Sequence, residues 1–292
     1  KINNKNLKSK IKKIVDDKKS TKRNLAYSHY LLSKYEKNEK NYKEELKFLI
    51  NGHQNFYESK EEKFKLGIKY CFEDLIQISE GANMTNLDKD KNYEIKPIFI
   101  IGVPRCGSTM VEKIIGSGQK FIPMGEETSI LENFVNAKIL EQQSLTLGKV
   151  NEVRSELFEI YKKSGLVLEK YNFSFTDKSL NNFFYLELIK DLYPKAKIIN
   201  CKRNTLSSIM SIFQNNLTEL AWTHKLENIF RYFDNYFEII KNFDENFPKH
   251  IYHIEYEKLV DNPEMESKKL MNFCELPWHK KCLEFYKRKD LI

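Results

Sequence analysis

Pro97-Ile-Phe-Ile-Ile-Gly-Val-Pro-Arg-Cys-Gly-Ser-Thr-Met110 is the stretch on which the fold turns. Its apolar opening, Pro97 to Val103, is a continuous run of the kind that forms a strand buried on both faces of a parallel sheet. A tight Gly/Pro loop follows, and the spacing then predicts a helix over Thr109–Ile115. Gly102 and Gly107 stand at the G-x-x-x-x-G interval of a phosphate loop. Ser108 and Thr109 open the helix, where amides outside the helical ladder and the dipole favour an anion. The Lys that follows the second glycine in nucleoside triphosphate loops is replaced by Ser108, and the only cation in the loop is Arg105. That exchange weakens the case for triphosphate hydrolysis.

A second strand-to-helix junction lies downstream. Ala196–Cys201 reads as a strand, Arg203 stands at its end, Asn204 suits the cap of a helix over Leu206–Asn216, and Ser211 shares a helical face with Ser207 and Ser208. An Arg fork with a hydroxyl makes a second anion site. The remaining signals alternate: helices over Val153–Lys163, Leu180–Leu192, Leu226–Phe243 and Pro263–Cys274, and a strand over His250–Glu255. Such alternation predicts a three-layer α/β domain with a mainly parallel sheet, whose ligand lies beyond the carboxyl ends of the strands.

Residues 1–80 read as helices, with Leu25, Tyr27, Leu31, Leu32 and Tyr35, then Leu46, Phe48 and Leu49, on helical faces either side of the polar stretch Lys37–Asn41. The spacing of Leu31, Tyr35 and Phe48 resembles one tetratricopeptide repeat, with Glu44 where that pattern has a small residue. One repeat cannot bury its own face, so the segment is expected to pack on the next domain. Residues 81–95 turn polar and form the expected linker, leaving 96–292 as the α/β domain.

Composition narrows the function classes. Phe 20 and Tyr 16 supply a sizeable core and exclude global disorder. The net charge of +8 is spread along the chain, which suits an anionic small ligand better than a nucleic acid. No apolar run reaches the roughly 18 residues of a membrane span. Five scattered cysteines do not form a disulfide framework, so a reducing, cytoplasmic location is expected. The chain opens KINNKNLKSK without an initiator Met, as a piece of a longer protein does.

Five segments in one order now carry a resemblance: Gly102–Met110, Gly125-Glu-Glu-Thr128, Thr176-Asp-Lys178, Cys201-Lys-Arg-Asn204 with Ser211, and Ile254–Val260. Together they resemble the sulfotransferases, in particular bacterial members bearing tetratricopeptide repeats and the protein-tyrosine sulfotransferases. The resemblance implies a P-loop-like sulfotransferase domain using 3′-phosphoadenosine 5′-phosphosulfate as donor, with no metal and no covalent intermediate. It implies that Arg105, Cys106, Gly107, Ser108, Thr109 and Met110 hold the 5′-phosphosulfate, that Arg203 and Ser211 hold the 3′-phosphate, and that Tyr256 contacts the adenine. Glu127, matching the second carboxylate of the tyrosine enzymes, is taken as the general base ahead of Glu126, which relatives with a single Glu favour. The resemblance further implies that Arg105 and Lys178 stabilise the leaving group. The acceptor it implies is a hydroxyl or amine on a peptide tyrosine, a glycan or a small molecule, and the helical repeat is expected to offer a surface for a protein partner. The family segment after Pro277-Trp278 that closes over the nucleotide is expected to be absent or cut off at Ile292.

Other constellations are weaker. Cys274, His279 and Cys282 lack a fourth metal ligand. His224 has no local partner as a base and reads as a surface or structural histidine, while Phe230–Phe237 has the spacing of a core helix. The competing readings are a P-loop nucleotide kinase and a non-catalytic helical-repeat interaction protein.

Overall fold

The computed structural model describes residues 5–85, 95–118, 122–142, 146–168 and 173–287. Two compact units emerge: residues 1–74 with 209–234, and residues 75–208 with 235–292. Of the expected linker, residues 86–94 lie outside the described residues.

The first unit is helical: α1 (Lys5–Asp16), α2 (Lys22–Asn38), α3 (Tyr42–Glu58) and α4 (Glu61–Lys69), the last running into a π-turn over Tyr70–Asp74. Thr21 caps α2 by accepting the Asn24 N–H at 3.2 Å. Helices α2 and α3 form an antiparallel hairpin, with Tyr27 against Phe56 and Tyr30 against His53. Gly52 allows this approach, since a Cβ there would meet the Tyr30 ring at 2.9 Å. Ile11, Leu32 and Tyr35 form a buried apolar cluster against which Val15 and Phe48 pack, each side chain of this size stabilising by about 1.5–3 kcal/mol.

Residues 209–234 complete this unit from far along the chain. Gln214 receives Lys37 at 2.8 Å and donates to Glu45 at 2.9 Å. His53 and His224, both buried, meet Nδ1 to Nδ1 at 3.0 Å, and His53 Nε2 lies 2.7 Å from the Phe213 carbonyl. A carbonyl only accepts, so His53 Nε2 carries hydrogen and its Nδ1 receives the His224 Nδ1–H. Burial pushes His53 down to about 4, against the Phe213 hydrogen bond, and pushes His224 to about 3. Both rings are neutral structural groups, so His224 is not a surface residue.

The second unit is built on parallel strands. After α5 (Leu75–Gly81) come β1 (Asn83–Thr85), β2 (Lys96–Gly102), α6 (Ser108–Gly116), β3 (Met124–Glu126), α7 (Ile130–Gln142), β4 (Thr146–Lys149), α8 (Val150–Lys163) and β5 (Ser174–Lys178). Then follow α9 (Leu186–Leu192), β6 (Lys197–Lys202), α10 (Thr205–Gln214), α11 (Leu226–Asn246), β7 (Ile251–Glu255), α12 (Tyr256–Asp261) and α13 (Pro263–Phe273). By residue membership, α10 and α11 contribute to both units.

The main sheet has the order β3-β5-β2-β6-β7, with every pairing parallel, and β1 pairs separately with β4. Strand β2 is central and buried from Pro97 to Gly102, which is why its sequence is an apolar run without alternation. The single helix expected over Leu180–Leu192 is instead a 3-10 turn, Leu180–Tyr185, leading into α9. Its first turn is tightened by Asn182, whose N–H bonds to the Ser179 carbonyl and whose amide donates to Asp177. No described helix is long and apolar enough to cross a membrane.

Candidate active site

The loop between β2 and α6 sits where the central strand ends. Gly102 adopts φ +148°, and a Cβ there would lie 2.8 Å from both Cys106 Sγ and the Cys201 carbonyl. Gly107 adopts φ +98°, and its Cβ would lie 2.6 Å from the Tyr256 ring. Both positions therefore need glycine, for conformation and for space. Arg105, at the exposed crown between them, holds φ +69° without that freedom, a strained geometry of the kind found at ligand clamps. Cys106 is buried in the loop, and in the first turn of α6 Ser108 is buried and Thr109 and Met110 are half-buried.

Arg203, one residue beyond β6, turns onto this loop. Its Nη1 donates to the Arg105 carbonyl at 3.0 Å, and its guanidinium lies 4.8 Å from the Tyr256 ring centroid. Its Nε has no hydrogen-bond partner among the described residues. Asn204 Oδ1 accepts the Ser207 N–H at 3.0 Å and caps α10. Tyr256, at the start of α12, thus lies between Gly107 and Arg203. Ser211 belongs by residue membership to the helical unit.

On the other side of β2, strand β5 ends at Lys178, which is fully buried. Its Nζ lies 3.2 Å from Glu126, 3.2 Å from Glu127 and 3.4 Å from the Thr109 hydroxyl. Thr109 also donates to Glu126 at 3.1 Å. Burial works to raise the Glu126 pKa, but the Lys178 charge and the hydrogen bonds from Lys178 and Thr109 prevail and hold it below the ordinary value. One ammonium is thereby shared by two carboxylates and the phosphate-loop helix.

The turn carrying the carboxylates is pinned. Gly125 has no room for a side chain, its Cβ position being 2.5 Å from the Thr176 carbonyl. Glu127 and Ser129 adopt φ +51° and +49°. They are tied down by Glu127 N–H to the Lys178 carbonyl at 2.8 Å and Ser129 N–H to Ser179 Oγ at 2.9 Å. Behind Lys178, buried Asp177 accepts from Tyr161 at 2.7 Å, Ser179 at 2.9 Å and Asn182 at 3.0 Å. Burial raises its pKa against those three bonds.

Sequence reasoning missed Glu112, on α6 between Ser108 and the end of the helix. It is fully buried, and its Oε1 accepts the Thr176 hydroxyl at 2.6 Å. A carboxylate four residues after Ser108, beside the buried apolar positions Val111, Ile114 and Ile115, was the available signal.

A glycine loop at the end of a central parallel strand, an arginine closing on it and a lysine–carboxylate cluster beside it define an α/β protein with a candidate anion site at the carboxyl end of its sheet. The particular family follows from comparison: the chain belongs to the sulfotransferase family, whose model matches residues 97–280. An "uncharacterized protein" of Aquifex aeolicus is 30% identical over 207 residues, covering 66% of this chain and 27% of that protein. Protein-tyrosine sulfotransferase A of Caenorhabditis elegans is 26% identical over 219 residues, covering 68% of this chain and 56% of that enzyme. The chain thus spans about a quarter to a half of the length of these relatives. The sulfotransferase domain of the curacin biosynthetic pathway superposes with a TM-score of 0.50 at 18% identity, over 68% of this chain and 81% of that one, a likeness of fold.

Proposed function

We propose that this chain transfers a sulfuryl group from 3′-phosphoadenosine 5′-phosphosulfate to a hydroxyl or amine acceptor. The observation that carries the reading is Lys178, buried and in reach of the loop helix through Thr109 and of two carboxylates. Cation, base and anion cradle therefore meet in one place. The donor suits the residues present: Arg203, with Nε unpartnered and its guanidinium against Tyr256, fits a phosphate beside an aromatic base, and the first turn of α6 fits the phosphosulfate.

In this scheme Glu127 takes the acceptor proton as the acceptor atom bonds to sulfur. The bond from sulfur to the bridging oxygen breaks, and Lys178 and Arg105 stabilise the charge left on the nucleotide 5′-phosphate. Glu126, held ionised by Lys178 and Thr109, keeps that ammonium in place. Phosphoryl chemistry of the kinase type is disfavoured by Ser108 at the position of the phosphate-loop lysine. All five cysteines are free and buried, which supports a reducing, cytoplasmic setting. Acceptors of the tyrosine-peptide, glycan and small-molecule classes are to be compared with a radiosulfur-labelled donor. Label transfer that is lost in Glu127→Gln supports the reading, and adenosine 3′,5′-bisphosphate failing to bind in calorimetry overturns it.

A further inference from the structure

Glu112 has a use that the scheme above leaves open. Its carboxyl is fully buried four residues beyond Ser108, about 6 Å along the axis of the helix whose first turn forms the cradle. Oε1 accepts the Thr176 hydroxyl at 2.6 Å, and Oε2 has no partner among the described residues. The same Thr176 oxygen receives the Gly125 N–H at 3.2 Å, so one hydroxyl joins Glu112 to the residue that opens the Glu126–Glu127 turn.

The charged and titratable groups acting on it come from three strands: Lys178 and Asp177 on β5, Glu126 on β3 and the Cys201 thiol on β6. A buried carboxyl with one hydrogen bond and one empty oxygen is cheaper neutral than ionised. Burial is the largest influence and pushes the group up to about 7, against Thr176 and Lys178 and with Glu126 and Asp177. An anion arriving at the first turn of α6 adds a further negative charge nearby, poorly screened by the protein around it.

We propose that Glu112 is the proton-holding residue beneath the cradle: the anionic nucleotide binds to the form in which Glu112 is protonated, so binding draws a proton from solvent. This rests on the reading of the cradle as a nucleotide site, and it makes the charge state of a residue that touches no ligand part of the affinity.

The test is calorimetric titration of adenosine 3′,5′-bisphosphate at about pH 8, where its phosphates are fully ionised, in buffers of different ionisation enthalpy. The dependence of the observed heat on the buffer counts protons. The wild-type chain is expected to take up a large fraction of a proton per nucleotide, and Glu112→Gln to take up none while still binding. Between about pH 6 and pH 9 the wild-type affinity is expected to fall by about 100-fold relative to Glu112→Gln. Binding without uptake, or uptake that persists in Glu112→Gln, overturns this inference and leaves the nucleotide site standing. Absence of binding at every pH overturns the site and the inference together. Should Glu112→Gln fail to fold, absence of uptake in the wild-type chain still overturns the inference, and Glu112→Met supplies the control for a count that is positive.

Discussion

Arg203 Nη1 donates to the carbonyl oxygen of Arg105 at 3.0 Å, so the guanidinium that follows one strand grips the crown of the loop that follows its neighbour. The two anion-binding elements expected from separate stretches of sequence are in direct contact.

Removing that guanidinium should be felt first in nucleotide affinity. Arg203→Ala is expected to weaken adenosine 3′,5′-bisphosphate by about 2–3 kcal/mol, the scale of a lost charge-assisted pair, which calorimetry reads as a drop of about 30- to 150-fold. Unchanged affinity sets Arg203 outside the site.

Glu127→Gln should leave nucleotide affinity intact and lower turnover by about 100-fold or more, as for loss of a general base. Glu126→Gln is expected to act more weakly on turnover. If single-turnover rates show the reverse, the proton goes to Glu126 instead.

At Gly107, an alanine meets two obstacles: φ +98° and a Cβ position 2.6 Å from the Tyr256 ring. Gly107→Ala is expected to cost about 1–3 kcal/mol of stability in chemical denaturation and to displace Tyr256, lowering nucleotide affinity as well. A variant with wild-type stability and affinity contradicts that geometry.

The buried histidine pair predicts acid sensitivity. His53 and His224 have folded pKa values of about 4 and about 3, below the ordinary 6.5, so the unfolded chain binds more protons through that interval. Their contribution is fully present above about pH 6.5 and is lost as pH falls through the folded values. For His53 alone the loss by pH 4 is on the order of 3 kcal/mol. Denaturant midpoints that stay flat from pH 6.5 to 4 in the wild type contradict this, and His53→Gln should reduce the slope.

The legible parts of the fold were those whose burial is apolar. Strand β2 and β6 lie within a residue of their expected bounds, and Arg203 and Asn204 fall at the junction the sequence indicated. Strand β5 carries the Thr176-Asp-Lys178 motif without an apolar strand signal, because Thr176, Asp177 and Lys178 are buried with hydrogen bonds and ion pairs rather than by apolarity, and periodicity does not register that. Glu112 escaped for the same reason. The association of the first 74 residues with residues 209–234 is a long-range pairing that no local pattern encodes.

That pairing has a consequence for synthesis on the ribosome. The first 74 residues must wait for 134 further residues, 75 to 208, before the first of their later partners is made. At ordinary elongation rates the delay is on the order of ten seconds. Throughout it the faces of Phe56 and His53 that later meet His224 stay uncovered, so nascent chains stalled before residue 209 should be cut by protease within α3 and α4 and recruit holding chaperones, and chains stalled well beyond residue 234 should not.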